Sequence, residues 1–257
     1  MINRGYPAMR HFRKILGSLL LFIVCSIFGS FSICHAESLW LKLEKEIGFT
    51  GYQQLVREKR VLRLTSEKQR QLERIFTDLT ARSNRRAEIN FTLTVVADPE
   101  INAYALPGGY VIVNSGLLEF TDKPGDLAAA LAHEIGHIDC KHGINAVSRT
   151  IGLTLALQLL ANRTDHPDRL TQLGAVAIVL SQRGYSRNAE YQADRTGVRL
   201  LKAAGYSPED MARFFSKLEQ QSGDTTGRFF LWKLVDTHPP FPERIKRIRQ
   251  SGDFFSK

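Results

Sequence analysis

The chain has 257 residues, 43% of them hydrophobic and 24% charged, with a formal net charge of +9. This is the composition of a globular protein with room for one domain and a real core, and it excludes disordered, fibrous and disulfide-dense classes. Arg4, Arg10, Arg13 and Lys14 stand among residues 1–36 without a single acid, and the +5 that remains is scattered among acids with no aromatic-interleaved basic run, which speaks against a nucleic-acid partner.

The first element is a leader. Arg10, Arg13 and Lys14 precede an apolar run from Ile15 to Ile33, and Cys34-His35-Ala36 follows with small residues at the positions a signal peptidase reads. The pattern predicts a signal peptide over residues 1–36, cut after Ala36. The alternative is an uncleaved anchor, since 19 residues approach a membrane span. Ile33 before Cys34 and Val24 before Cys25 do not suit lipid attachment. Beyond Ala36 only Cys140 remains, so residues 37–257 hold no disulfide of their own.

Residues 37–86 read as a helical N-terminal segment of a single domain covering 37–257. Leu39, Leu41, Leu43 and Ile47 precede Gly48; Ser66 and Gln69 then form a capping-box pattern ahead of Leu72, Ile75, Phe76 and Leu79. Ile89, Phe91, Leu93 and Val95 alternate as in a strand. Two β-prone runs flank Pro107-Gly108-Gly109, a turn signal. Thr121, Asp122, Pro124 and Asp126 start a helix whose apolar face is Leu127, Leu131, Ile135 and Ile138, with Gly143 as its stop. Ile151–Ala161 and Leu170–Leu180 are apolar but each about half a membrane span, so they read as core or lid helices. A helix carrying Glu190 follows, then one capped by Ser207 with Pro208 in its first turn, then a Pro-rich turn leading into a short basic helix.

His133-Glu134-Ile135-Gly136-His137 lies on the predicted helix. A residue advances 100°, so His133 and His137 project from one face and both reach one metal ion, while Glu134 points to the neighbouring flank as a base for water. Catalytic zinc takes a third protein ligand. Glu190 fits it, with Asp194 four residues on as the group that fixes a ligand histidine. His142, five residues after His137, extrapolates to some 140° away on a continuous helix and is expected to face elsewhere, near the helix C-terminus. His166 stands in a polar loop. His238 sits before Pro239 in an extended turn and is a candidate oxyanion donor or latency ligand. Asn102, Ala103, Tyr104 and Ala105 are expected to form an edge strand for an extended substrate.

Four blocks resemble the HtpX/CAAX-prenyl-protease family of zinc metallopeptidases, in its secreted bacterial branch: Asn102-Ala103-Tyr104-Ala105 with Pro107-Gly108-Gly109, His133 to His137, Glu190 with Asp194, and Thr237-His238-Pro239-Pro240 with Arg244. The resemblance covers about residues 66–250. It implies an α+β, mainly helical gluzincin-type domain with a small sheet beside the motif helix. It implies one Zn2+ per chain held by His133, His137 and Glu190, with Glu134 as catalytic base and His238 and Arg244 as oxyanion donors. The expected activity is endopeptidase cleavage of unfolded or mis-assembled envelope proteins in the periplasm, with peripheral contact to the membrane or to outer-membrane proteins. An inner-membrane anchor facing the periplasm is the alternative placement. A non-catalytic, zinc-stabilised chaperone or adaptor is the alternative function; Glu134 argues against it.

Overall fold

The computed structural model describes residues 39–63, 66–151, 167–223 and 241–254. The expected leader, most of the Ile151–Ala161 segment, His166 and Thr237 to Pro240 lie outside the described residues. Chain contacts divide the protein into two compact units, Met1–Lys42 and Leu43–Lys257. Of the first only residues 39–42 are described, as the start of a helix.

The second unit is mainly helical around a three-stranded sheet. Helix α1 (39–58) continues through Gly48 rather than breaking there. The glycine is needed for packing: it lies against the Pro107 carbonyl, where a Cβ would be 1.8 Å from the oxygen. Leu43, Ile47 and Leu55 face inward at helical spacing. Helix α2 (Ser66–Thr80) buries Leu72, Ile75, Phe76 and Leu79, the stripe its periodicity predicts.

The sheet has strands β1 (Thr92–Val96), β2 (Ala103–Leu106) and β3 (Tyr110–Asn114) in the order β1-β3-β2. β1 runs parallel to β3 and β2 antiparallel to it, across a turn in which Gly108 (φ 76°) and Gly109 (φ 102°) take conformations that other residues rarely adopt. The alternation expected of β1 is lost at its end. Thr94, Val95 and Val96 are all buried, because both sheet faces are covered. Val61 bridges Val96 along the outer edge of β1. β2 forms the opposite edge.

Helices α3 (Ser115–Phe120), α4 (Pro124–Asp139), α5 (His142–Ile151), α6 (Pro167–Arg183), α7 (Arg187–Ala203), α8 (Pro208–Gly223) and α9 (Phe241–Phe254) complete the fold. α4 is its axis, with every residue from Gly125 to Ile138 buried. It packs on α2, the sheet, α7 and α8 together. Hence its run of alanines: a helix surrounded on all sides has no polar face, and small side chains let the neighbours close in. The approach is tightest at Gly136, where a Cβ would stand 2.6 Å from the Ala193 carbonyl oxygen of α7. Ser207 and Asp210 cap α8 reciprocally, the Ser207 hydroxyl accepting from Glu209 N–H and the Asp210 carboxylate from Ser207 N–H.

Among the described residues, no helix is long and apolar enough to cross a membrane.

Candidate metal centre

The contact at Gly136 sets α4 and α7 close enough for their polar side chains to meet. His133 and His137 come from α4, Glu190 from the first turn of α7, and all three are buried. The two Nε2 atoms are 3.1 Å apart. Glu190 Oε2 is 3.4 Å from His133 Nε2, and Oε1 is 3.6 Å from His137 Nε2. Donors at about 2.0–2.1 Å around a tetrahedral ion are separated by about 3.3 Å. One nitrogen from each histidine and one Glu190 oxygen lie within 4.8 Å of one another, close enough to converge on a single ion, and two imidazoles with one carboxylate are a donor set that zinc accepts.

Each histidine is turned by a partner behind it, but the partners differ. His133 Nδ1 is 3.0 Å from Asp194 Oδ1, which accepts its proton and leaves Nε2 for the metal. Asp194 is itself gripped by Arg244, with Nε 2.8 Å from Oδ2 and Nη2 2.7 Å from Oδ1. Arg244 also places Nη1 3.3 Å from Glu190 Oε2, and its guanidinium lies over the Phe215 ring at 4.2 Å. Through Nε and Nη2, Arg244 positions Asp194 from α9, while its buried Nη1 forms no hydrogen bond.

His137 is turned by His142, contrary to the expectation that His142 faces away. The two Nδ1 atoms are 2.9 Å apart, and His142 Nε2 is 3.0 Å from Gln192 Oε1. With Nε2 of His137 reserved for a metal, its Nδ1–H donates to His142, whose Nε2–H donates to Gln192. Burial holds His142 below the usual histidine range, although Gln192 opposes the shift, and a neutral ring suits the accepting role. The expectation failed because it continued the helix to Gly143. α4 ends at Asp139, Lys141 takes the left-handed conformation (φ 57°), and His142 opens α5 folded back onto the site.

Glu134 lies beside the ligands. Burial raises its carboxyl to about 7, with His133 and Arg244 opposing the shift, Glu190 adding to it, and a hydrogen bond from the Ala105 backbone lowering it. That bond joins the base to the edge strand. Asn114 N–H donates to the Asn102 carbonyl, so Asn102 and Tyr104 turn their backbone groups toward β3. Ala103 and Ala105 turn theirs outward, one amide of which holds Glu134. Leu117, Phe214, Phe215, Leu218 and Phe241 line an apolar pocket against His133 and Glu134.

Tyr185 has no counterpart in the sequence reading. Its ring stacks on His137 at 4.4 Å, and its buried hydroxyl has no hydrogen-bond partner among the described residues. Burial and the charges of Glu134 and Glu190 push the phenol well above its usual range. The only signal in the sequence is its place one residue before Ser186, the cap of α7 whose hydroxyl accepts from Ala189 N–H.

A central helix with two buried imidazoles, joined by a carboxylate from the next long helix and flanked by a small sheet, defines a metal-site domain of gluzincin type. The chain belongs to Peptidase family M48, whose pattern matches residues 66–251. It is 30% identical over 164 residues to mitochondrial metalloendopeptidase OMA1 of Arabidopsis thaliana, covering 64% of this chain and 32% of that one. It is 29% identical over 163 residues to metalloprotease YcaL of Escherichia coli, covering 63% and 61%, and 33% identical over 142 residues to the beta-barrel assembly-enhancing protease of Yersinia pestis, covering 51% and 29%. The matched segment thus spans from under a third to about three fifths of these relatives.

Proposed function

We propose that this protein is a zinc metalloendopeptidase, acting on unfolded or mis-assembled envelope proteins. The observation that carries the reading is the junction at Glu134: a buried carboxyl beside three convergent metal donors, hydrogen-bonded to the Ala105 backbone of the edge strand.

His133, His137 and Glu190 would hold the ion, with Asp194 and His142 orienting the rings. Zinc bound there would supply Lewis acidity, activating water and polarising the scissile carbonyl. Glu134 takes the proton of the attacking water and returns it to the leaving nitrogen, a task suited to a buried carboxylate beside the convergent donors. The Tyr185 hydroxyl is a donor for the carbonyl oxygen as charge develops there, and His238 is a second candidate, with latency as its other possible role. The outward groups of Ala103 and the outward carbonyl of Ala105, whose amide holds Glu134, pair with an extended substrate, which favours unfolded chains over any one sequence. The basic and apolar pattern of residues 1–36 supports export to the periplasm, with an inner-membrane anchor as the alternative. The naming of one relative for β-barrel assembly supports a partner among outer-membrane proteins.

The test is cleavage of an unfolded protein by the metal-loaded wild type and by Glu134→Gln, with metal content measured in both. The substitution is expected to retain the metal and to reduce cleavage at least about a thousandfold. Equal cleavage by the two would overturn the reading, and binding without cleavage by the wild type would favour a chaperone.

A further inference from the structure

The two faces of β2 lead to different places. The sheet register puts Tyr104 opposite Ile112 and Asn102 opposite Asn114, so these side chains share one face, toward α1. Ala103 lies on the other face and lines the apolar pocket at His133 and Glu134. On the α1 face a cavity of about 150 Å³ opens between β2, the end of α1 and α6. Its chemistry is anionic. Glu58, Asp98 and Glu100 line it together with one cation, Lys59, whose Nζ is 2.7 Å from Asp98 Oδ2.

A second observation marks the cavity as more than an acidic surface. Asn114 lines it, is 2% exposed, and its Oδ1 accepts no hydrogen bond. A buried amide oxygen left in that condition costs about 1–3 kcal/mol, so it calls for a donor from outside. Tyr104, 4% exposed, adds its hydroxyl, pushed up to about 12 first by burial and then by Asp98 and Glu100, with Gln182 opposing. Carboxylates, an amide oxygen and a phenol around one opening are complementary to a cationic donor on a long stem.

Resting on the peptidase reading above, we infer that this cavity receives a lysine or arginine side chain of the polypeptide substrate. A strand added to β2 places the residues opposite Asn102 and Tyr104 on the α1 face, and their neighbours on the α4 face. The cleaved segment is then two-sided. Residues of one parity are apolar, for the pocket of Phe214, Phe215 and Phe241, and a residue of the other parity is basic.

The experiment uses two peptides identical except for arginine or its neutral isostere citrulline on the α1-face parity. Charged hydrogen bonds in a partly buried site predict about a tenfold higher kcat/KM for the arginine peptide. Glu100→Lys is expected to abolish that preference, read as the ratio of kcat/KM for the two peptides on the same variant; Glu100→Gln, which keeps size and polarity, is expected to be intermediate. Equal rates for the two peptides in the wild type, or an undiminished preference in Glu100→Lys and Glu100→Gln, would overturn the inference. If the wild type cleaves neither peptide, the peptidase reading fails. Fluorescence anisotropy of the same peptides on Glu134→Gln then judges the cavity alone: tighter arginine binding supports it, and equal binding sinks it.

Discussion

Two buried arginines in this protein make nearly the same contact and do different things. Arg85 grips Glu44 with Nη1 at 2.6 Å and Nη2 at 2.7 Å, and Arg244 grips Asp194 just as closely. All four residues are almost completely buried. What separates the pairs is the next contact. Arg85 also donates to the Ile138 carbonyl and to Glu88, so its pair ties α1 to the end of α4. Asp194 accepts from one candidate metal ligand, His133, and Arg244 Nη1 lies 3.3 Å from another, Glu190, so the Arg244 pair reaches the site through two of its three ligands. Burial and bidentate geometry are therefore no signature of function. The third partner decides.

The sharpest way to break this comparison is to remove each arginine. Arg85→Met and Arg244→Met both strand a buried carboxylate, and each is expected to lower stability by about 3–5 kcal/mol in urea denaturation. Only Arg244→Met should also weaken metal binding in the folded fraction; equal metal loss in both would erase the distinction. A smaller effect is expected from Asp194→Asn, which keeps the volume but weakens the hold on His133. Metal affinity, titrated against a chelator, should fall about 10–100-fold. His142→Phe removes a neutral acceptor rather than a charge, so its loss should sit near the lower end, about tenfold, and an unchanged affinity would dismiss His142 as an outer partner. Tyr185→Phe should lower kcat about tenfold while KM and metal content hold, whereas a rise in KM alone would place the hydroxyl on bound substrate.

The gentlest probe is pH. In the metal-free protein burial would lower His133, but hydrogen bonds to Asp194 and Glu190 outweigh it and raise the group to about 9. A raised folded value gives stability that is complete below the unfolded value near 6.5 and is lost as pH climbs through about 9. Glu134, raised to about 7, acts in the same sense from about 4.5 upward. His142, held below 6.5 by burial, acts oppositely below that value, so denaturation midpoints of the metal-free protein should decline between about pH 6.5 and 9. Asp194, held below the usual carboxylate range by Arg244 and His133 against the cost of burial, acts oppositely and only in acid. A flat profile across the neutral range would mean that the two α4 groups do not carry these protonation states.

Much of this was legible in the sequence because helical spacing is local arithmetic. His133 and His137, and Glu190 and Asp194, each lie four apart on helices that do form, and the edge position of Asn102 to Ala105 followed from short β-prone runs around a turn. His142 was misread by the same arithmetic, since a single left-handed residue at Lys141 ended the helix it assumed. Glu44 with Arg85, 41 residues apart, and Arg244 with Asp194, 50 apart, were out of reach in kind. Pairings at such separations are fixed by how helices stack, and no periodicity records that. Tyr185 was missed because an aromatic ahead of a helix cap looks like any other.

The complete burial of α4 has one more consequence. A helix enclosed along Gly125 to Ile138 presents no side on which substitutions can accumulate without touching a neighbour. A change on any side of this helix is therefore felt by α2, the sheet, α7 or α8, and the setting of His133 and Glu134 can be altered without touching α4 only from the elements packed around it.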